Sequence, residues 1–252
     1  MMQRVTASML FAVLLSPLTS AAQEGKVIYD ETVKIEINLP PEMADMKDKI
    51  PNSQTAQKML VFNETESMTR AADEEAEPVN IAHESEGIAF KMSVIGEENE
   101  TYVNFDDEQS IEKRDFMGRT FLITGDLEPI AWKLTSERSE FLGYMCMKAT
   151  AVRDSTTLEA WFTPEIPIPA GPELYGGLPG LILVLNIDDG KRSFAAKEVQ
   201  LEELPDDAIQ KPAKGKKVSR EEFDKIVEDK MKEMGVQRSG RGGGQFQVTI
   251  RN

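Results

Sequence analysis

Residues 164–185, PEIPIPAGPELYGGLPGLILVL, hold five prolines and four glycines and then run without a polar side chain from Leu181 to Leu185. Proline fixes φ and glycine opens φ > 0, so Pro179-Gly180 suits the two central positions of a type II turn flanked by Leu178 and Leu181. Leu181-Ile182-Leu183-Val184-Leu185 lacks the polar alternation of a half-exposed strand. It reads as a strand with both faces buried, the candidate central strand of a sheet.

Upstream of this stretch the chain reads as strands from Gly25 onward. Val27, Tyr29, Thr32, Val33, Ile35 and Ile37 give a β-rich opening that stops at Pro40-Pro41, and Lys58 to Thr69 carries Met59, Val61 and Asn63 in alternation. Gly87 to Ile95, Glu100 to Phe105 and Arg114 to Thr124 follow. Ile130, Trp132 and Leu134 alternate ahead of a turn-like Thr135 to Ser139, and Phe141 to Val152 and Leu158 to Thr163 complete the series. Residues 41–56 and 70–86, polar and acidic, read as loops. Downstream, a closing strand is predicted near Ser193 to Leu201 after Asp188-Asp189-Gly190. The spacing predicts a mainly β fold: a curved antiparallel sheet or half-barrel meander, not βαβ units.

Past Pro205 the composition changes. Lys211, Lys214, Lys216 and Lys217 read as a basic linker, and Ser219 with Glu222 fits a capping box. Phe223, Ile226, Val227, Met231 and Met234 then share one face of a C-terminal amphipathic helix expected to pack on its own domain. Gly235 suits its end, Gly240 to Gly244 a flexible linker, and Gln245 to Arg251 a β-like tail. The expected division is a leader over 1–22, a β-rich domain over 23–204, and an appendage over 205–252.

The leader reading rests on Arg4, an apolar run from Ala7 to Leu18, and the small residues Ser20-Ala21-Ala22, with Gln23 as first mature residue. A membrane anchor is the alternative, but the run is short for a span and contains Pro17. The mature chain is expected to be exported to the periplasm, the outer membrane or the exterior, without spanning a membrane. Cys146 is the only cysteine, so no internal disulfide can form. With 29 basic against 44 acidic residues the net charge is −15, and −16 once Arg4 leaves with the leader. Nucleic acid is excluded as a partner class, since it demands a positive footprint.

His83 is the only histidine and no Gly-x-Ser-x-Gly is present, which leaves a Ser-His-acid triad without support. Zinc sites, dinucleotide loops and phosphate loops lack their ligands or glycines. Met43/Met46, Met231/Met234 and Met145-Cys146-Met147 group ligands that soft copper would accept, but on a strand Cys146 opposes its neighbours, and Met145, Met147, Met231 and Met234 read as core filling in preference to a copper site. No catalytic residue, metal site or cofactor is assigned. Among the scarce aromatics, Trp132, Tyr144, Trp161 and Tyr175 stand around the proline-rich stretch; they read as sheet anchors or, functionally, as the wall of a ligand pocket.

The hexapeptide Gly177-Leu178-Pro179-Gly180-Leu181-Ile182 resembles the motif that names the GLPGLI family of Bacteroidetes-type bacteria. The resemblance extends through Trp132-Lys133-Leu134, Gly143 to Thr150, Ala160-Trp161-Phe162, Ile166-Pro167-Ile168 and Gly171-Pro172. Asn63 to Ser67 resembles the family's N-terminal strand block, with Met68 in place of an expected aromatic. The resemblance implies an exported, β-rich protein encoded beside TonB-dependent outer-membrane receptors, and no catalytic residue. The expected function is a non-enzymatic envelope protein that binds an apolar small ligand or a partner such as such a receptor. The alternatives are a carboxylate-dependent hydrolase and a structural or adhesive surface component.

Overall fold

The computed structural model describes residues 23–35, 51–72, 80–85, 88–93 and 99–233, with backbone alone for 80–85 and 88–93. The leader, residues 36–50 and the stretch from Met234 onward, including the Gly-rich segment and tail, lie outside the described residues. Among the described residues twelve strands form one open sheet in the order β14-β8-β7-β6-β3-β2-β1-β13-β12-β11-β10-β9. Two antiparallel meanders supply eleven of them. The first holds β1 (Gly25–Lys34), β2 (Ser53–Phe62), β3 (Glu66–Ala71), β6 (Glu100–Asn104), β7 (Gln109–Phe116) and β8 (Arg119–Asp126). The second holds β9 (Lys133–Phe141), β10 (Tyr144–Arg153), β11 (Thr156–Thr163), β12 (Leu181–Ile187) and β13 (Arg192–Leu201). They join where β13 pairs antiparallel with β1. Between β3 and β6 a separate hairpin pairs β4 (Asn80–Ser85) with β5 (Ile88–Ser93).

The mainly β expectation therefore holds, and several local readings need correction. The acidic stretch read as a loop over 70–86 contains β4, and that over 41–56 already enters β2 at Ser53. The run from Lys58 to Thr69 is a hairpin: Asn63 Oδ1 accepts from the amides of Thr65 and Glu66 at 2.9 and 2.8 Å, so Asn63 makes the turn. Arg114 to Thr124 is likewise a hairpin, turning at Met117 and Gly118 with φ 51° and 73°. Thr135 to Ser139 lies inside edge strand β9, and the turn falls at Leu142-Gly143. β12 is interior but not central, and β13 is the seam between the meanders, not a closing strand.

The strap formed by residues 164–180 decides how one face is covered. Successive Cα partners put Val27, Leu60, Thr69, Thr101, Glu112 and Ile123 on a common face, which Tyr29 and Phe194 share. Ile166, Ile168, Ala170 and Leu178 of the strap join Tyr29, Leu60, Phe162 and Phe194 in a single buried cluster. Leu181, Ile182 and Leu183 are fully buried in succession, as an apolar run predicts, while Val184 is half-buried. No type II turn forms at Pro179-Gly180. The Gly180 amide donates to the Leu178 carbonyl at 2.8 Å and Leu181 to Ile166 at 2.9 Å, so Pro179 sits at the centre of a three-residue γ-turn.

The segment read as a basic linker is structured at its end. Ile209 packs on Tyr102, Ile111 and Leu122 on the face opposite the strap. β14 (Lys216–Val218) then adds parallel to β8, which makes the sheet mixed. The capping box forms as expected: Ser219 Oγ accepts from the Glu222 amide at 3.2 Å and Glu222 Oε2 from the Ser219 amide at 2.9 Å. Helix α1 (Arg220–Glu233) lays Phe223 and Ile226 against Phe121, Ile123 and Val218, and so packs back on its own sheet.

Candidate functional site

Two constellations gather the side chains with chemistry. The first lies under the strap. Glu31 continues the buried face of Val27 and Tyr29 on β1, and Lys58 follows the phase of Leu60 and Phe62 on β2, so the pleat carries both charges inward. Arg192 enters from β13 and Glu173 from the strap. Arg192 Nε donates to Glu31 Oε1 at 2.7 Å; its Nη1 and Nη2 donate to the two oxygens of Glu173 at 2.9 and 2.5 Å. Lys58 Nζ stands 3.9 Å from the second oxygen of Glu31, and the guanidinium lies 4.7 Å from the Phe194 ring centre. Glu173 has φ 55°, and its amide donates to Thr69 Oγ1 at 2.9 Å.

The electrostatics follow from that geometry. Burial alone would push the Glu173 carboxyl up, but Arg192, with Arg114 and Lys58 farther off, outweighs it and holds the group at about 2. Burial opposes the charge on Arg192 too, and Glu173 and Glu31 more than offset it, raising its pKa. The cluster is a set of fixed opposite charges. A general acid needs the reverse, a carboxyl held protonated near neutral pH.

Sequence reasoning missed this cluster. Its only signal was a charge at an inward position, Glu31 after Val27 and Tyr29 and Lys58 before Leu60 and Phe62.

The four aromatics do not form one wall. Trp132 lies just before β9, and its indole N–H donates to the Gly176 carbonyl at 2.9 Å, holding the strap. Tyr175 sits one residue away under the Arg153 guanidinium, 5.0 Å from ring centre, its hydroxyl pKa raised first by burial and then by Glu173. Tyr144 is half-buried beside the same core where the β9–β10 hairpin closes. The motif residues serve the strap itself. Leu178, Leu181 and Ile182 are fully buried, and Pro172 accepts from the Tyr175 amide at 3.1 Å. Gly177 turns with φ 82°, whereas a Cβ at Gly171 would strike the Tyr175 carbonyl oxygen.

Trp161 belongs to the second constellation, on the face opposite the strap. Its neighbours in β11, Leu158 and Ala160, point into the core, and the pleat turns Glu159 and Trp161 outward. Trp161 meets Phe141 edge-on at 5.5 Å, and Lys148 Nζ lies 5.7 Å from its ring centre. Lys148 bridges Glu137 at 3.2 Å and Glu159 at 3.0 Å, while Asn186 donates to Glu159 at 3.4 Å. Burial pushes the Glu159 carboxyl up, but the Lys148 ammonium outweighs it and holds the group below the usual carboxylate range, so the carboxylate is ionised. The result is a half-buried aromatic shelf rimmed by an amide, an ammonium and two carboxylates. Nearby Cys146 is fully buried, and burial with Glu165 pushes its thiol up to about 11, an inert small hydrophobe.

Comparison with known proteins adds three findings. Residues 151–184, which cover β11, the strap and the first half of β12, match a family described as "Protein of unknown function (Porph_ging)". No curated protein matches the chain. Two solved structures are similar to it, described as "Structure of PNGF-II in P21 space group" at 17% identity with TM-score 0.51, and "Structure of PNGF-II in C2 space group" at 16% with TM-score 0.52. Each alignment covers 82% of this chain and 33% of the other, so the chain spans about a third of the length of the structures it matches, and the likeness is one of fold.

Proposed function

We propose that this chain is an exported, non-catalytic binding module of the bacterial cell envelope, working beside an outer-membrane transporter of the TonB-dependent class. The observation that carries the binding reading is the Trp161 shelf: an aromatic ring with Phe141 against one edge and Lys148, Glu159 and Asn186 around it, open on the face that the strap leaves uncovered. Such amphipathic aromatic surfaces give contact area and directional polar bonds together. The strap occupies the opposite face, so the ligand surface moves away from Trp132 and Tyr175 to Trp161. Export and the transporter rest on the leader-like N-terminus and on the resemblance to the GLPGLI family. The hydrolase reading gains nothing from Glu31 and Glu173, whose charges are locked on Arg192 beneath the strap. No helix among the described residues is long and apolar enough to cross a membrane.

The test is native mass spectrometry of the protein purified gently from its own envelope, beside a Trp161→Ala variant. A discrete bound species on the wild type that W161A loses, at unchanged urea midpoint, is the expected result. A bare wild-type chain, or a bound species that W161A retains, overturns this reading.

A further inference from the structure

Among the described residues β9 is an edge strand, paired on one side only with β10. The geometry of its hairpin shows which backbone groups face outward. Leu142 and Gly143 have φ 53° and 82°, the pattern of a two-residue type I′ turn, so Phe141 and Tyr144 form the closing hydrogen-bonded pair. Pairs alternate along an antiparallel ladder, which makes Glu140–Met145 a pair without mutual bonds, Ser139–Cys146 bonded, and Arg138–Met147 again without. An independent contact agrees: the Met145 amide turns away from Glu140 and donates to the Glu165 carboxylate at 2.9 Å. The N–H and C=O groups of Arg138 and Glu140 therefore point away from β10, on a side where no strand pairs with them among the described residues.

An antiparallel strand from an identical chain must meet β9 about a two-fold axis perpendicular to the sheet, so one residue opposes its own copy. Centring on Glu137, Arg138 or Glu140 opposes like charges at the axis. Centring on Ser139 does not. There Arg138 of each copy faces Glu140 of the other, on one face of the sheet and within cross-strand reach. Arg138 and Glu140 in that register are also the residues whose main-chain groups point outward, so each pair closes two backbone bonds together with one ion pair. Arg138 and Glu140 are exposed, and neither makes an ion pair among the described residues. Met145, about half exposed, stands opposite Glu140 on β10 beside the pair so formed.

We infer that the protein forms a two-fold dimer through β9, centred on Ser139, with reciprocal Arg138–Glu140 pairs, and so continues its sheet into a second copy. This goes beyond the binding reading above and does not depend on it. Because the axis is perpendicular to the sheet, both Trp161 shelves face the same side of the dimer, ready to engage one extended partner at two points.

Charge exchange tests it by analytical ultracentrifugation of the purified protein up to about 1 mM, the weak end of the affinity scale. The wild type dimerises; R138E and E140R each sediment as monomers, since each opposes like charges twice. The doubly exchanged R138E/E140R dimerises again, and so does an equimolar mixture of the two single variants, in which every facing pair is opposite in sign. Both positions are exposed, and an unchanged far-ultraviolet circular dichroism spectrum checks that the fold persists. A monomeric wild type, a dimer indifferent to the single exchanges, or a mixture that stays monomeric overturns the inference.

Discussion

Glu173 grips Arg192 with both carboxylate oxygens, at 2.9 and 2.5 Å, and so pins the strap to the strand that joins the two halves of the sheet. A fork of this kind is directional and charge-assisted. Its larger consequence is what happens when one member goes. Arg192→Ala leaves Glu31 and Glu173 buried and facing each other, with Lys58 3.9 Å from Glu31. Losing one partner of a buried pair costs about 3–5 kcal/mol, so urea unfolding of R192A should show a drop of that size. An R192A midpoint within error of wild type would show the cluster to be incidental.

The same pair predicts an acid-labile fold. Glu173 is held at about 2 when folded, below the ordinary carboxylate value of 4.5, so the unfolded chain binds the extra proton. Its contribution is present above pH 4.5 and is lost as pH falls toward 2. Glu173→Gln should be less stable at neutral pH and should flatten the stability-versus-pH curve in that window. Parallel curves for wild type and E173Q would place the acid sensitivity elsewhere.

Gly180 is required for two reasons at once. Its φ of 156° is a glycine conformation, and a Cβ there would strike the Thr163 carbonyl oxygen. Gly180→Val should cost about 3 kcal/mol or more in urea, since strain and backbone displacement combine. Gly177→Ala is the control: φ is 82° but space is open, and about 1 kcal/mol is expected. Equal losses at the two positions would refute the steric argument.

Tyr29, fully buried, donates from its hydroxyl to the Ile182 carbonyl at 2.5 Å, tying β1 to the start of β12. Tyr29→Phe keeps the ring against Phe194 and orphans that carbonyl, for a loss of about 1–3 kcal/mol. Thermal unfolding of Y29F beside wild type measures it.

At the other end, Ser219→Ala removes the acceptor for the Glu222 amide at the start of α1. The expected loss is about 1 kcal/mol. Amide exchange should report it first in the opening turn of the helix, and uniform loosening of the whole sheet would contradict a local cap.

What was legible in the sequence tracks how locally each feature is determined. Val27 and Tyr29 alternate with half-buried neighbours, and Ser219 with Glu222 closes a cap within four residues; such patterns read directly. The turn at Met117 was missed because a methionine at φ 51° carries no turn signature. Thr135 to Ser139 resembled a turn because an edge strand has one neighbour and can leave polar side chains in water along its length. The Trp161 shelf and the Arg192 cluster depend on which strands lie side by side, and that register is settled by packing far away in the chain. Glu31 and Lys58 showed only as charges on an apolar face, with their partners unreadable until β13 and the strap were in place.

The seam between β1 and β13 also dictates an order of assembly. A chain emerging amino-terminus first offers β1 immediately and finds β2 soon after, but Arg192 follows Glu31 by 161 residues. The strand that ends up near the middle of the sheet is thus an unprotected edge for most of the chain's arrival, and the strap can lock only when β13 docks. Long-range closure of this kind is intrinsically slow. Pulse-labelled hydrogen exchange should find the amides of β13 and the strap among the last to gain protection, well after the β6–β7 and β10–β11 hairpins.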